Sequence, residues 1–522
     1  MVRGIITVGG WTMASRILGF ARDILIAALL GAGPVADAFF VANRLPNLFR
    51  RLFGEGAFNA AFIPAFSGIL TSEGREEAAR FAGQAASVMA FWLFGLTLLA
   101  EIFMPAVLAV IAPGFAEIPA KFDLAVTLSR IAFPYMPLIC LTALVSGVLN
   151  GLDRFAAAAA APIVYNLAMI GFMLGLSGVV PTAGHALALG VSVSGVLQLA
   201  LVVWAARRAG MVLPLPRPRL TPRVRQLLRR MTPGLVGAGV TQLNLSVDVI
   251  IGSLLPPGTV SILYYADRVN QLPLGTIGAA VGTALLPTLS RQVAGVTPRE
   301  AVGTLNRAIE YALLLTLPAA LALIVCAEPI IAVLFGRGAF APEVVLKSSQ
   351  ALAAYGVGLP AFVLVKVLVP AFFARGDTSV PVKVGVAAVA LNLALNLAFM
   401  GPLQHLGPPL ASAVAAWANV GALAAILHRR RHLVGDAALL RRVTRMLAAS
   451  VVMVAALWAM RHTVYAALDT GGGHGLRWIG LALLVGGGMA AYGAAGQVLG
   501  AFSLGEVVQR LARRRRPAAV RG

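Results

Sequence analysis

Met13-Ala14-Ser15-Arg16-Ile17-Leu18-Gly19-Phe20-Ala21-Arg22-Asp23 lies inside the first long apolar stretch of the chain, with three charges where hydrocarbon-facing residues belong. The next apolar stretch repeats the anomaly with Asp37, Arg44, Arg50 and Arg51. Working outward, the composition is 59% hydrophobic and only 12% charged over 522 residues, with a mean hydropathy of +0.86. A water-soluble fold has no way to bury that much apolar surface, so the chain reads as an all-α polytopic membrane protein. The apolar runs are far longer than the roughly ten-residue alternating strands of an outer-membrane barrel.

A sliding window predicts about fourteen transmembrane helices. Their centres lie near residues 18, 52, 96, 138, 168, 196, 242, 275, 316, 360, 390, 417, 452 and 488. The first of them lacks a cleavage-site pattern and carries internal charges, so it is expected to remain in the mature chain. Placing both termini in the cytoplasm puts about 29 Lys and Arg on that side and about five on the other, Lys121 among the five, as the positive-inside rule requires. That asymmetry accounts for most of the net charge of +22 through contact with anionic membrane lipids and makes a nucleic-acid partner unnecessary. Cys140 and Cys326 sit in apolar segments and read as core residues, with no disulfide or metal framework.

The Pro-rich basic stretch 209–230 divides the chain. It separates an expected N-lobe, 1–208, from a C-lobe, 231–430, and residues 431–522 add two helices and a basic tail. The lobes echo each other. Arg44-Leu45-Pro46 and Ile63-Pro64 in one correspond to Gln271-Leu272-Pro273 and Leu286-Pro287 in the other, at offsets that differ by about one helical turn. Gly151-Leu152-Asp153 before Pro162 corresponds to Gly376-Asp377 before Pro381. Two six-helix units in tandem share one orientation, the parallel-repeat plan of transporters that hold substrate between their halves.

Each charge at mid-bilayer costs roughly 2.5–3.5 kcal/mol on insertion scales, so several in neighbouring helices imply a wet cavity. Arg16 and Asp23 are seven apart and share a helix face, while Arg22 lies about 100° round. Pro46 and Gly54-Glu55-Gly56 should bend and loosen the second helix. The second half contributes Asp267-Arg268, and Arg130 and Lys366 are further cations. The bland reading of this set is internal salt bridging. The surplus of cations favours an anionic ligand instead, and a guanidinium fork suits phosphate oxygens. No Walker A, HExxH or GxSxG pattern is present, so an enzyme is not expected.

The stretches 13–23, 31–33, Asp37-Ala38-Phe39-Phe40-Val41-Ala42, Leu45-Pro46-Asn47-Leu48-Phe49-Arg50-Arg51, Glu55-Gly56-Ala57-Phe58, Tyr264-Tyr265-Ala266-Asp267-Arg268 and Pro381-Val382-Lys383 resemble the MurJ (MviN) lipid II flippases. That family belongs to the multidrug/oligosaccharidyl-lipid/polysaccharide exporter superfamily. The resemblance implies a fourteen-helix flippase of the bacterial inner membrane, with a cationic cavity between two lobes and a tail groove on the last two helices. It implies substrate-binding roles for Arg16, Arg22, Arg50 and Arg268 and a role for Asp37, which with Asp23 and Glu55 makes up the acidic candidates for the cavity or gate. The implied substrate is lipid II, the undecaprenyl-pyrophosphate-linked disaccharide pentapeptide, moved outward by alternating access, with cell-wall synthesis proteins as candidate partners. Some members bind sodium, and Asp248, Asn392 and Asn396 are the corresponding candidate oxygens here. Two other transport readings stay open on the residues alone: export of another polyprenyl-pyrophosphate-linked glycan, or ion-coupled drug or metabolite antiport. A membrane scaffold that transports nothing is a third.

Overall fold

The structure is a computed structural model that describes residues 2–51, 57–294, 298–435, 437–470 and 474–502. Among the described residues it is all helical. Glu55 and the basic tail from 503 onward lie outside the described residues.

The chain forms two compact units. The first holds residues 1–261 and the short segment Arg337–Ala341. Its helices are α1 (Val2–Leu30), α2 (Pro34–Phe49), α3 (Ala57–Ser72), α4 (Arg75–Ile102), α5 (Met104–Ile111), α6 (Pro119–Ala132), α7 (Tyr135–Gly151), α8 (Phe155–Leu176), α9 (Ala183–Arg208), α10 (Pro222–Ser253) and the first turn of α11 (Thr259–Ala294). Helix α8 packs along α1 and α9, α7 along α9, and α2 along α6. A column of stacked rings, Phe58, Phe62, Phe66 and Phe81, fills the core where α3 meets α4. Thr221 starts α10 by accepting the Val224 N–H at 3.4 Å, with Pro222 in the first turn, where a missing N–H costs nothing. The basic stretch expected as a linker is therefore non-helical only to Thr221, and Arg223, Arg225, Arg229 and Arg230 ride on the first turns of α10.

The second unit holds the rest of α11 with α12 (Pro298–Val325), α13 (Ala327–Phe335), α14 (Pro342–Phe373), α15 (Ser379–Phe399), α16 (Gly407–Arg429), α17 (Ala437–Met460), α18 (Ala466–Thr470) and α19 (His474–Val498). Helix α14 packs between α12 and α16, α15 lies on α16, and α17 is held by α12 and α19. A π-helical turn, Arg461–Tyr465, separates α17 from α18.

Among the described residues, ten helical stretches are long and apolar enough to cross a membrane, and they coincide with ten of the fourteen expected centres. The other four centres, near 18, 52, 242 and 275, fall on α1, on the junction between α2 and α3, and on α10 and α11. Those elements carry Arg16, Arg22 and Asp23, then Arg44 and Arg50, then Asp248, then Asp267 and Arg268. Of the span expected near 52, α2 continues through Pro46 and turns π-helical at Arg50–Arg51, α3 begins at Ala57, and residues 52–56 lie outside the described residues. Its counterpart around Pro273 and Pro287 is one unbroken helix, α11. The matched Gly-Asp motifs both form helix-to-helix turns with a left-handed residue, Asp153 (φ 58°) and Gly376 (φ 75°).

Candidate functional site

Arg22 is 8% exposed on α1, and its guanidinium is held on two edges. Nε and one terminal nitrogen donate to Asp23 Oδ1 at 3.1 and 2.7 Å, and the other terminal nitrogen donates to Asn166 Oδ1 on α8 at 2.9 Å. The cation also lies 5.3 Å from the centre of the Tyr165 ring. Tyr165 Oη donates to Asn43 Oδ1 at 3.2 Å, and Asn47 Nδ2 donates to that oxygen at 3.2 Å and to the Asn43 carbonyl at 2.7 Å. Arg50 Nε then donates to Asn47 Oδ1 at 3.0 Å. A continuous polar chain thus links Arg22 to Arg50 across α1, α8 and α2. Such a chain fixes guanidinium positions before any ligand arrives.

The carboxylate of Asp23 takes the neighbouring Arg22, although helical spacing places it on the face of Arg16. Arg16 itself is exposed on α1 and makes no hydrogen bond or ion pair with the described residues. Sequence reasoning set Asn43 beside the charged positions of the second helix without giving it a partner, and gave no role to Asn47, Tyr165 and Asn166. The adjacent Tyr165-Asn166 pair inside an otherwise apolar helix was the available signal.

A second cluster surrounds Asp37, which is 1% exposed in the first turn of α2. Its carboxylate accepts from Lys121 Nζ at 2.8 Å, from Gly258 N at 2.7 Å, from Ser261 N at 2.9 Å and from the Ser261 hydroxyl. Gly258 and Ser261 flank the start of α11, so a side chain from α2 caps a helix that begins more than two hundred residues later. Lys121, read from sequence as a loop cation, is 4% exposed and stacks its ammonium 3.9 Å from the centre of the Phe115 ring. Close by, Ala339 N donates to Ala28 O at 2.8 Å. Two left-handed glycines permit that approach: a Cβ on Gly31 (φ 60°) would collide with the Ala339 carbonyl, and one on Gly338 (φ 59°) with the Ala28 carbonyl.

In the second unit, Arg268 is half-buried on α11 one residue after Asp267, whose Oδ1 accepts from Gln271 Nε2 at 3.3 Å. Lys366 is exposed on α14 beside Gly278, with no ion pair among the described residues. Arg130, in the first unit, is exposed and donates to the Glu101 carbonyl at 3.1 Å. Asn392 and Asn396 are buried one turn apart on α15, and Asn396 Nδ2 donates to Asn392 O and Oδ1, each at 3.0 Å. The Asn392 oxygen also accepts from Ser412 Oγ at 3.5 Å, and Asn396 Oδ1 has no hydrogen-bond partner. Asp248 is half-buried on α10 and belongs to the first unit. No cluster of three His, Cys, Asp or Glu side chains suited to a metal occurs among the described residues.

A family model described as "Lipid II flippase MurJ" matches residues 26–471. A Rhizobium tropici protein named probable lipid II flippase MurJ is 44% identical, over 99% of this chain and 98% of its own length. A protein of the same name from Rhizobium meliloti (strain 1021) is also 44% identical, over 97% and 95%. Among solved structures, "Lipid II flippase MurJ, inward closed conformation" matches with a TM-score of 0.78 at 23% identity, covering 94% of this chain and 98% of that one. An inward-facing multidrug MATE transporter matches at 0.64 and 16%, covering 82% and 98%. These last two likenesses are of fold, and they agree with an all-helical multi-pass membrane protein. With a family model over most of its length and a relative at 44% identity from end to end, the chain belongs to the lipid II flippase MurJ family.

Proposed function

We propose that this protein moves lipid II from the cytoplasmic to the outer leaflet of the bacterial inner membrane by alternating access, with both termini in the cytoplasm. The observation that carries the reading, beside family membership, is the polar chain from Arg22 to Arg50 with the unpaired Arg16 on the same helix as Arg22. Asp23 and Asn166 hold two edges of the Arg22 guanidinium, so it is oriented before the pyrophosphate arrives and loses little side-chain entropy on binding. Arg16 and Arg50 supply charge and the remaining donors, and Arg268 is the corresponding cation of the C-lobe. Lobes 1–208 and 231–430 rock, the headgroup crosses with its water replaced by arginines, and no covalent bond changes.

The Asp37 cluster acts as the catch of the outer face. Loading the headgroup from the inside keeps it shut, and release requires the carboxylate to exchange Lys121, Gly258 and Ser261 for water. Asn392 and Asn396 are candidate sodium oxygens, since Asn396 Oδ1 is buried with a spare lone pair and amide oxygens suit a hard cation, which would add positive charge there. A pyrophosphate carrying about two negative charges gains roughly 2.3 kcal/mol per charge per 100 mV on moving outward, so the membrane potential suffices as a driving force.

The test is replacement of a host's own lipid II flippase by this chain, scoring lipid II exposed on the outer face. Restoration by the native chain and loss in Arg22→Ala and Arg268→Ala is the expected result. Failure of a well-expressed native chain would transfer the assignment to another polyprenyl-linked glycan. Restoration by both variants would reduce the arginines to structural ion pairs.

A further inference from the structure

The second unit contains an apolar pocket of about 440 Å³ that the flipping cycle above does not use. Ile309 of α12, Leu364 and Leu368 of α14, Val420 of α16, Leu433 of the turn after α16 and Leu439 of α17 form its walls, and His428 is the polar side chain among its lining residues. Its size falls within the roughly 300–1,000 Å³ range of small-molecule sites. The turn that connects two of its lining residues, His428 and Leu433, reads Arg429-Arg430-Arg431-His432. Arg430 is already neutralised by Asp377 at 2.6 Å. Arg429 and Arg431 are exposed and make no ion pair with the described residues. The turn is itself fixed: His428 Nδ1 lies 3.1 Å from the Leu433 carbonyl, and Asn306 Nδ2 donates to the Val434 carbonyl at 3.1 Å.

A hydrocarbon-lined pocket, two of whose lining residues are joined by a turn carrying two exposed guanidiniums with no ion pair among the described residues, matches the chemistry of an acyl chain attached to an anionic phosphate. We propose that this pocket holds one acyl chain of an anionic phospholipid whose phosphate rests on Arg429 and Arg431. A chain as long as undecaprenyl would have to leave a cavity of this size, which distinguishes the occupant from the tail of the carried substrate. The inference stands on the pocket and its rim, independently of the flipping assignment.

The full-length protein in detergent is supplied with phosphatidylglycerol or phosphatidylcholine of the same acyl composition, and retained lipid is measured by native mass spectrometry. The native chain retains the anionic lipid preferentially. Arg429→Gln and Arg431→Gln each weaken retention roughly fivefold, and Ala424→Trp, which fills the pocket, abolishes the preference. The two arginine variants alter exposed side chains only and so keep the test valid even where the Trp variant misfolds. A photoreactive acyl chain on phosphatidylglycerol cross-links to Leu368 or Leu439. Equal retention of the two lipids, full retention by the arginine pair, or cross-links elsewhere overturn the proposal. So does displacement of those cross-links by equimolar undecaprenyl phosphate, which would make the pocket a substrate-tail site.

Discussion

Arg22 illustrates how a membrane protein keeps a cation ready without neutralising its reach. Asp23 and Asn166 occupy two edges of the guanidinium, and removing the amide alone should loosen it. Asn166→Ala deletes one charge-assisted hydrogen bond, worth about 1.5–3 kcal/mol, so lipid II exposure in the replacement assay is expected to fall roughly tenfold or more at unchanged expression. Asp37→Asn leaves Lys121 buried beside a neutral amide and should cost about 3–5 kcal/mol, read as a lower thermal midpoint. Adding Lys121→Met to it should recover most of that loss, because the uncompensated charge is gone. The arginines and Asp37 were legible in the sequence because a charge in an apolar window stands out. Asn43, Asn47 and Tyr165 were not, because neutral amides and phenols are ordinary in such windows and only the packing of α8 against α1 shows their use. Lys121 was misread for a related reason: at a helix start it looks like a loop residue, and its partner is 84 positions away.

At the scale of elements, one close approach in the first unit is made by backbone. Gly31 and Gly338 each leave room for the carbonyl of the facing segment. Gly31→Val or Gly338→Val therefore drives Ala28 and Ala339 apart and strains a left-handed position as well. In a chain with Cys140 and Cys326 replaced, Ala339→Cys is expected to react faster with a membrane-impermeant thiol reagent when either valine is present. Equal labelling rates would show that this approach is not what seals the surface. The start of α10 at Thr221-Pro222 falls inside the stretch 209–230 that was read as a linker, because its prolines and arginines outweighed the capping threonine and first-turn proline. Pro46 was expected to kink the second helix, and it lies inside α2, which runs on to Phe49 where neighbouring helices supply packing.

At the scale of the molecule, the basic surface decides how stability follows pH. Asp377, hydrogen-bonded first by Arg430 and then by the Val380 N–H, has its carboxyl held down at about 2. Its contribution is present above the ordinary carboxylate value and persists until the pH falls toward 2, so it is constant across neutral conditions. His432 is pushed below its usual 6.5 by burial and by Arg375 and Arg430. The folded chain favours the neutral ring, so that contribution is full above 6.5 and is lost as the pH falls through the lowered value. Thermal midpoints in detergent should decline between about pH 7 and pH 5, and His432→Gln should flatten that decline. The Asp37 cluster carries a kinetic consequence. A catch of the kind proposed for it, undone once per cycle, would contribute its own strength to the barrier, and every 1.4 kcal/mol or so of added grip would slow turnover about tenfold. Variants selected for thermal robustness at that end of the molecule are therefore expected to be slow carriers, and the tightest of them to survive heating while failing to keep a growing cell supplied.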